Sequence, residues 1–208
     1  ILTHIRHSEK VFFMNRLLLI LILTLSIQTL SKADDIREFQ IDGLSIGMSL
    51  LDYFNETEIK DNIYDHYKDD KYKLTEFYQH KNFNQYDSLK FHYNSKDQNY
   101  KIISISGINF YEKNITNCYN DMKKIDKEIS SLFEELERIT EDQIHPYDKS
   151  GKSITKAIRY WFPDESHISI VCYDWSEKIS KKNEWTDNLQ LEISLNEFNN
   201  WLIHKAYK

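Results

Sequence analysis

One run of residues limits the folds open to this chain more than any other. Cys118, Met122, Ile125, Ile129, Leu132, Leu136 and Ile139 recur at steps of four and three. That spacing predicts a single amphipathic helix over about 117–140, with a narrow apolar stripe and lysines and glutamates elsewhere. The stripe needs a partner surface. A coiled coil would supply one, but three heptads with strand-like segments on both sides favour packing against a sheet.

Those segments are predicted from alternation. Before the helix they fall near 72–80, 88–94 and 101–111. In the second, Leu89, Phe91 and Tyr93 take one face and Ser88, Lys90, His92 and Asn94 the other. In the third, Ile103 and Ile105 give way to Ile108 and Phe110 across Gly107, a phase change that predicts a bulge there. After the helix the expected strands are 154–162, 168–175 and 188–193. Ser49 and Asp52 have capping-box spacing for a helix over about 50–60, and Ser194 and Glu197 open a closing helix with Phe198, Trp201 and Leu202. The order α-β-β-β-α-β-β-β-α reads as an αβββ-αβββ-α pseudo-repeat. The fold class is therefore α+β: an antiparallel sheet of about six strands with helices on one side.

Ahead of this lies "MNRLLLILILTLSIQTLSKADD". A short positive start, an aliphatic core over 17–25 and Ser31-Lys32-Ala33 are the parts of a cleaved secretory signal, residues 14–33. The apolar stretch is short for crossing a bilayer, and no cysteine follows the cut, so no stable membrane anchor is expected after cleavage. Residues 1–13 read as upstream translation in the same frame. The mature chain, 34–208, is expected to be one globular domain in the periplasm. Residues 1–33 hold four of the 27 basic and one of the 33 acidic side chains, leaving 23 against 32, a net of −9. A surface of that sign repels phosphate backbones and argues against nucleic acid as a partner.

Cys118 falls on the apolar stripe and Cys172 in phase with Ile168 and Ile170, so both point into one helix–sheet interface. Export to an oxidising compartment makes a structural disulfide the expectation, worth about 4 kcal/mol in the chain-entropy model. The C-x-x-C spacing of a redox pair is absent.

No nucleotide, dinucleotide or hydrolase signature occurs, and no cofactor is predicted. Asp61, Asp65, His66, Asp69 and Asp70 form an acidic loop that lacks EF-hand spacing and reads as solvated. His80 and His92 offer only two of the ligands a Zn²⁺ site needs, so no metal site is predicted. The suggestive feature is aromatic. The segment 167–175 is apolar on both faces, with Val171, Tyr173 and Trp175 opposite Ile168, Ile170 and Cys172. A four-residue turn at 163–166 would put Trp161 on the Ile168 face, and a loop one residue shorter or longer reverses this. Trp161, Tyr173 and Trp175 are the candidate binding patch, for a protein partner or a sugar ring, unless the closing helix with Trp201 covers them.

The runs "IREFQIDGLSIGMSLLDYF" and "YKIISISGINFYE", with the signal segment, resemble a group of small exported proteins of Pelagibacter-type marine bacteria. The resemblance spans the mature chain and implies a Gram-negative periplasm, with no activity attached. More distantly, "LSIGMSLLDYF" is similar to Gly-Met-Ser/Thr helix openings of the outer-membrane assembly lipoproteins, although the lipidated cysteine of those proteins is missing here. The functional expectation is a periplasmic, non-enzymatic binding module for an unknown periplasmic protein or small ligand. The alternatives are a small periplasmic hydrolase, with His80, His92 or His167 beside a carboxylate or serine in the fold, and a structural envelope protein.

Overall fold

The computed structural model describes residues 35–81, 85–112 and 114–208. The leader and signal fall on residues 1–34, outside the described residues. The strands are β1 (Tyr72–Tyr78), β2 (Ser88–Asn94), β3 (Ile102–Phe110), β4 (Glu137–Ile144), β5 (Ile154–Trp161), β6 (His167–Asp174) and β7 (Asn188–Ser194). The helices are α1 (Glu56–Asp61), α2 (Ile115–Leu132), α3 (Glu177–Asn183) and α4 (Asn196–His204). The strands form one antiparallel sheet in the order β1-β2-β3-β7-β6-β5-β4. Two three-stranded meanders thus lie side by side, and β7 closes the seam between β3 and β6.

The α+β class holds, with seven strands where about six were expected. The extra strand, β4, comes from the predicted helix, which stops at Leu132 instead of running to 140. Phe133 still donates its N–H to Ile129 O at 2.9 Å. Its ring, however, is buried against Phe39 and Phe162, and its ψ of 62° turns the chain out of the helix. Leu136 and Ile139 continue the apolar period by coincidence. β4 is exposed along its whole length and is held by pairing with β5 and by Arg138, which grips the Asp126 carboxylate of α2 with two bonds of 2.7 and 2.8 Å. With four strands and α3 in the second half, the αβββ pseudo-repeat does not hold.

Two helix starts also differ from expectation. Ser49 caps only a 3-10 turn, Leu50–Asp52. The capping box belongs to Asn55 and Glu58, which open α1 separately after Phe54 has turned inward to stack on Phe77. Ser194 ends β7, and its hydroxyl bonds Asn199 Oδ1 at 2.6 Å, so Leu195 stands at the α4 N-cap.

Alternation along the strands separates two faces. One carries Leu89, Phe91, Ile105, Leu189, Leu191, Ile193, all buried. On it lie α2, through Cys118, Met122 and Ile129, and the segment Ile36–Phe54. Cys118 and Cys172 meet there at disulfide distance, with Cα atoms 6.1 Å apart. Gly107 is on this face because the Tyr86 ring needs its space; a Cβ would lie 2.6 Å from the ring. The bulge predicted at Gly107 occurs instead between His92 and Tyr93 of β2 and the segment Ile102–Ser104 of β3. The extra residue is Ile103, which joins Tyr72, Phe198 and Trp201 on the opposite face. That cluster holds α4, so the helices flank the sheet on both sides and not on one.

Candidate functional site

The face opposite α2 is covered only in part. α4 closes one end of it: Phe198 lies 4.2 Å from the His92 ring, Asn199 bonds His167 Nδ1 at 2.9 Å, and Trp201 Nε1 donates to Asp69 at 2.7 Å. Beyond α4 the face opens into a groove of about 1080 Å³. Strand side chains from β1, β2, β3, β7 and β6 make its floor, among them Leu74, Lys90, Ile108 and Gln190. One wall is Tyr64, His66 and Tyr207; the other is Tyr147, Trp175 and Trp185.

Each wall is built ring against ring. On the second wall, Tyr173 and Trp175 are parallel with centroids 5.6 Å apart. Trp175 meets Trp185 at 4.6 Å, Trp185 meets Tyr147 at 5.0 Å, and His145 sits edge-on to Trp175 at 4.6 Å. On the first, His66 contacts Tyr64, Tyr67 and Tyr207. Such offset and edge contacts fix ring orientation and each adds roughly 0.5–1.5 kcal/mol beyond burial. The loops carrying the second wall are tied by one carboxylate. Asp148 accepts from the Ser153 and Ser176 hydroxyls, each at 2.7 Å, and from the Ser150 and Ser153 amides. These bonds hold its carboxyl far below the ordinary range.

The floor is polar, and its one lysine is paired. Lys90 Nζ lies 3.7 Å from Glu76 Oε1, which also accepts from Ser88 Oγ at 2.9 Å. Gln190 donates from its amide nitrogen to Ser106 Oγ and to Glu192 Oε2, at 3.1 and 2.9 Å. Burial raises the Glu192 carboxyl above its ordinary value.

Of the expected patch, Tyr173 and Trp175 line the groove. Trp161 does not join them. Phe162 accepts from Glu165 N and donates to Ser166 O, which leaves a three-residue loop with Glu165 at φ 65°. The loop is one residue shorter than the four-residue turn, so Trp161 pairs with His167 and lies on the Tyr173 face, at the far, α4 end. Tyr160 takes the Ile168 face and donates to the Asp126 carbonyl at 2.9 Å. Trp201 covers Tyr72 and not the Tyr173–Trp175 end of the sheet.

No family model, curated protein or solved structure matches the chain. The site therefore stands on its geometry.

The histidines named for hydrolysis are dispersed. His92 is buried beneath α4, with Nε2 2.9 Å from Tyr67 OH, and burial drives its pKa down to about 3. His167 is also beneath α4 and depressed to about 4 by burial, with Arg159 adding to the effect. His80 packs on Phe54 and Phe77, 4.0 Å from Glu58, and does not meet His92. In the acidic loop Asp65 pairs with Lys73, while Asp69 accepts from Trp201 and Lys71 N. Among the described residues no three His, Cys, Asp or Glu side chains gather as a metal group.

Sequence reading missed most of the walls. Tyr64, Tyr147, Trp185 and Tyr207 lie outside the strands, where no period marks a residue as facing anything. The one available signal was Phe110, whose phase opposite Ile105 put an aromatic on the second face of β3.

Proposed function

We propose that this chain is a periplasmic, non-enzymatic binding module whose ligand lies along the groove on the open sheet face. The observation that carries the reading is the groove itself: about 1080 Å³ between two braced aromatic walls, with amides and a neutralised ion pair on its floor. Concave sites with apolar walls and a few convergent polar groups are where ligands bind. Catalysis is supported less well. A hydrolase needs a base and a nucleophile within reach of one substrate atom. Here His92 and His167 lie under α4, and the Asp148 serines all donate to a carboxylate that is already satisfied. A purely structural role gives no account of aromatic surface left uncovered beside a helix that seals the rest of the face.

The test is native mass spectrometry of the oxidised protein after exposure to a small-molecule extract of bacterial envelopes. Wild type should carry a bound species that Trp175→Ala loses. An absence of any bound species, or equal retention by the variant, would overturn the proposal.

A further inference from the structure

The dimensions and chemistry of the groove also specify a class of ligand. Its floor crosses five adjacent strands, and at about 4.8 Å between strands that is roughly 19 Å of path. A second hollow of about 510 Å³ shares Tyr78 and Phe110 with it and continues beyond the end of β3. A ligand that follows this path is elongated.

The walls offer ring faces. Tyr64 and Tyr78 are 61% and 62% exposed and Trp185 is 38% exposed. Single exposed aromatics are ordinary on protein surfaces. These are held in place by neighbours, Tyr78 by stacking on Phe110 and Trp185 by Tyr147 and Trp175, which leaves a face of each available at little entropic cost.

The floor selects by charge. An anionic ligand needs unpaired cations, but Lys90 is matched by Glu76. A cationic ligand needs carboxylates held on its path, but Glu76 is matched by Lys90, and Glu192 is set back behind Gln190 and Ser106. Asp61 and Glu184 are solvent-exposed residues off the strands, where water and salt screen them. An acyl chain needs an enclosed apolar tunnel, whereas this path is open and its floor holds polar side chains. What remains is a ligand with apolar faces, a polar rim and no net charge. A pyranose ring has these properties: C–H groups on its faces and hydroxyls around its edge, each both donor and acceptor. Gln190, with both amide hydrogens committed, keeps a carbonyl oxygen for such hydroxyls, and Lys90 keeps ammonium hydrogens.

We infer that the groove binds a neutral glycan segment, with sugar rings on the Tyr64, Tyr78 and Trp185 faces and hydroxyls on Gln190, Glu76 and Lys90. This rests on the groove being the binding site. The experiment is a titration of the oxidised protein, followed by tryptophan fluorescence and calorimetry. The probes are neutral hexasaccharides of β-1,4-glucose, β-1,3-glucose, α-1,4-glucose, β-1,4-mannose and β-1,4-N-acetylglucosamine, with a uronate hexamer as the charged control. At least one neutral hexamer should bind, and the uronate hexamer should bind at least tenfold more weakly. Trp185→Ala and Tyr64→Ala, on opposite walls, should each weaken binding about tenfold while the protein stays folded, with Tyr64→Ala, the more exposed of the two, shifting the melting temperature less. Silence from every neutral hexamer, a preference for the uronate, or binding indifferent to both substitutions would overturn the glycan. If the envelope extract still supplies a ligand that Trp175→Ala loses, only the ligand class falls and the binding function stands. If neither experiment finds a ligand, both fall.

Discussion

Asp148 shows how much of the groove's second wall depends on a single residue that does not line it. Its carboxylate gathers Ser150, Ser153 and Ser176, so the loop carrying Tyr147 and the start of α3 are fixed relative to each other. Asp148→Ala leaves two hydroxyls and two amides without their acceptor and should lower the melting temperature by roughly 5 °C or more at pH 7. The depressed carboxyl makes this contribution complete above its unfolded value of 3.8 and lost as the pH falls through the lower folded value. Melting curves of wild type and variant should therefore converge between pH 4 and the acid limit, and a gap that persists unchanged would refute the assignment. None of this was legible in "DKSGKS", where only the tertiary fold decides which serines face the carboxylate. Tyr173 and Trp175 were legible, because a strand apolar on both faces has to present one set away from the α2 side. Trp161 was legible only up to a binary choice, settled by a loop of three residues and not four.

Among the elements, α4 is the one most exposed to pH. It sits over His92 and His167, and His92 Nδ1 and its cross-strand partner Ser104 Oγ are buried without hydrogen-bond partners. Both imidazoles are kept neutral by burial, at about 3 and about 4 against an ordinary 6.5. The unfolded chain takes up protons first, so stability is full above pH 6.5 and falls as the pH drops toward those folded values. At pH 5 the loss is about 2 kcal/mol for each histidine at most. Glu192, Asp174 and Asp187 oppose it, since burial raises their carboxyls and protonation then favours the folded state. The clean comparison is thus between proteins: urea midpoints of wild type should fall from pH 7.5 to 5 more steeply than those of His92→Gln. Parallel slopes would show that the histidine is not the sensor. The same scale holds the clearest misreading of the sequence. Leu136 and Ile139 keep the helical period, yet Phe133 finds more buried surface by leaving the helix, and tertiary packing overrides local pattern. β4, once formed, carries Glu137, Arg138, Glu141 and Asp142 along an exposed edge, charges that discourage pairing with a further strand.

For the whole molecule, the pairing of Cys118 with Cys172 ties the central helix to a central strand across a sequence separation of 54. Cys118→Ser should cost up to about 4 kcal/mol of stability when the protein is made under oxidising conditions. Under reducing conditions the two proteins should melt within a degree or two of each other. Equal stability in both settings would mean that the sulfurs are not bonded in solution. The sheet order has a consequence of a different kind. β7, the last strand of the sheet in sequence, occupies its centre, between β3 and β6. Until residues 188–194 are available, each meander presents an unpaired inner edge backed by an apolar face, Ile105 on one side and Ile168 and Ile170 on the other. Such edges invite pairing between chains. Folding is therefore gated in time: a nascent chain can collect two half-sheets but cannot lock them together, and the groove, whose floor straddles the seam, comes into being only with the final closing strand.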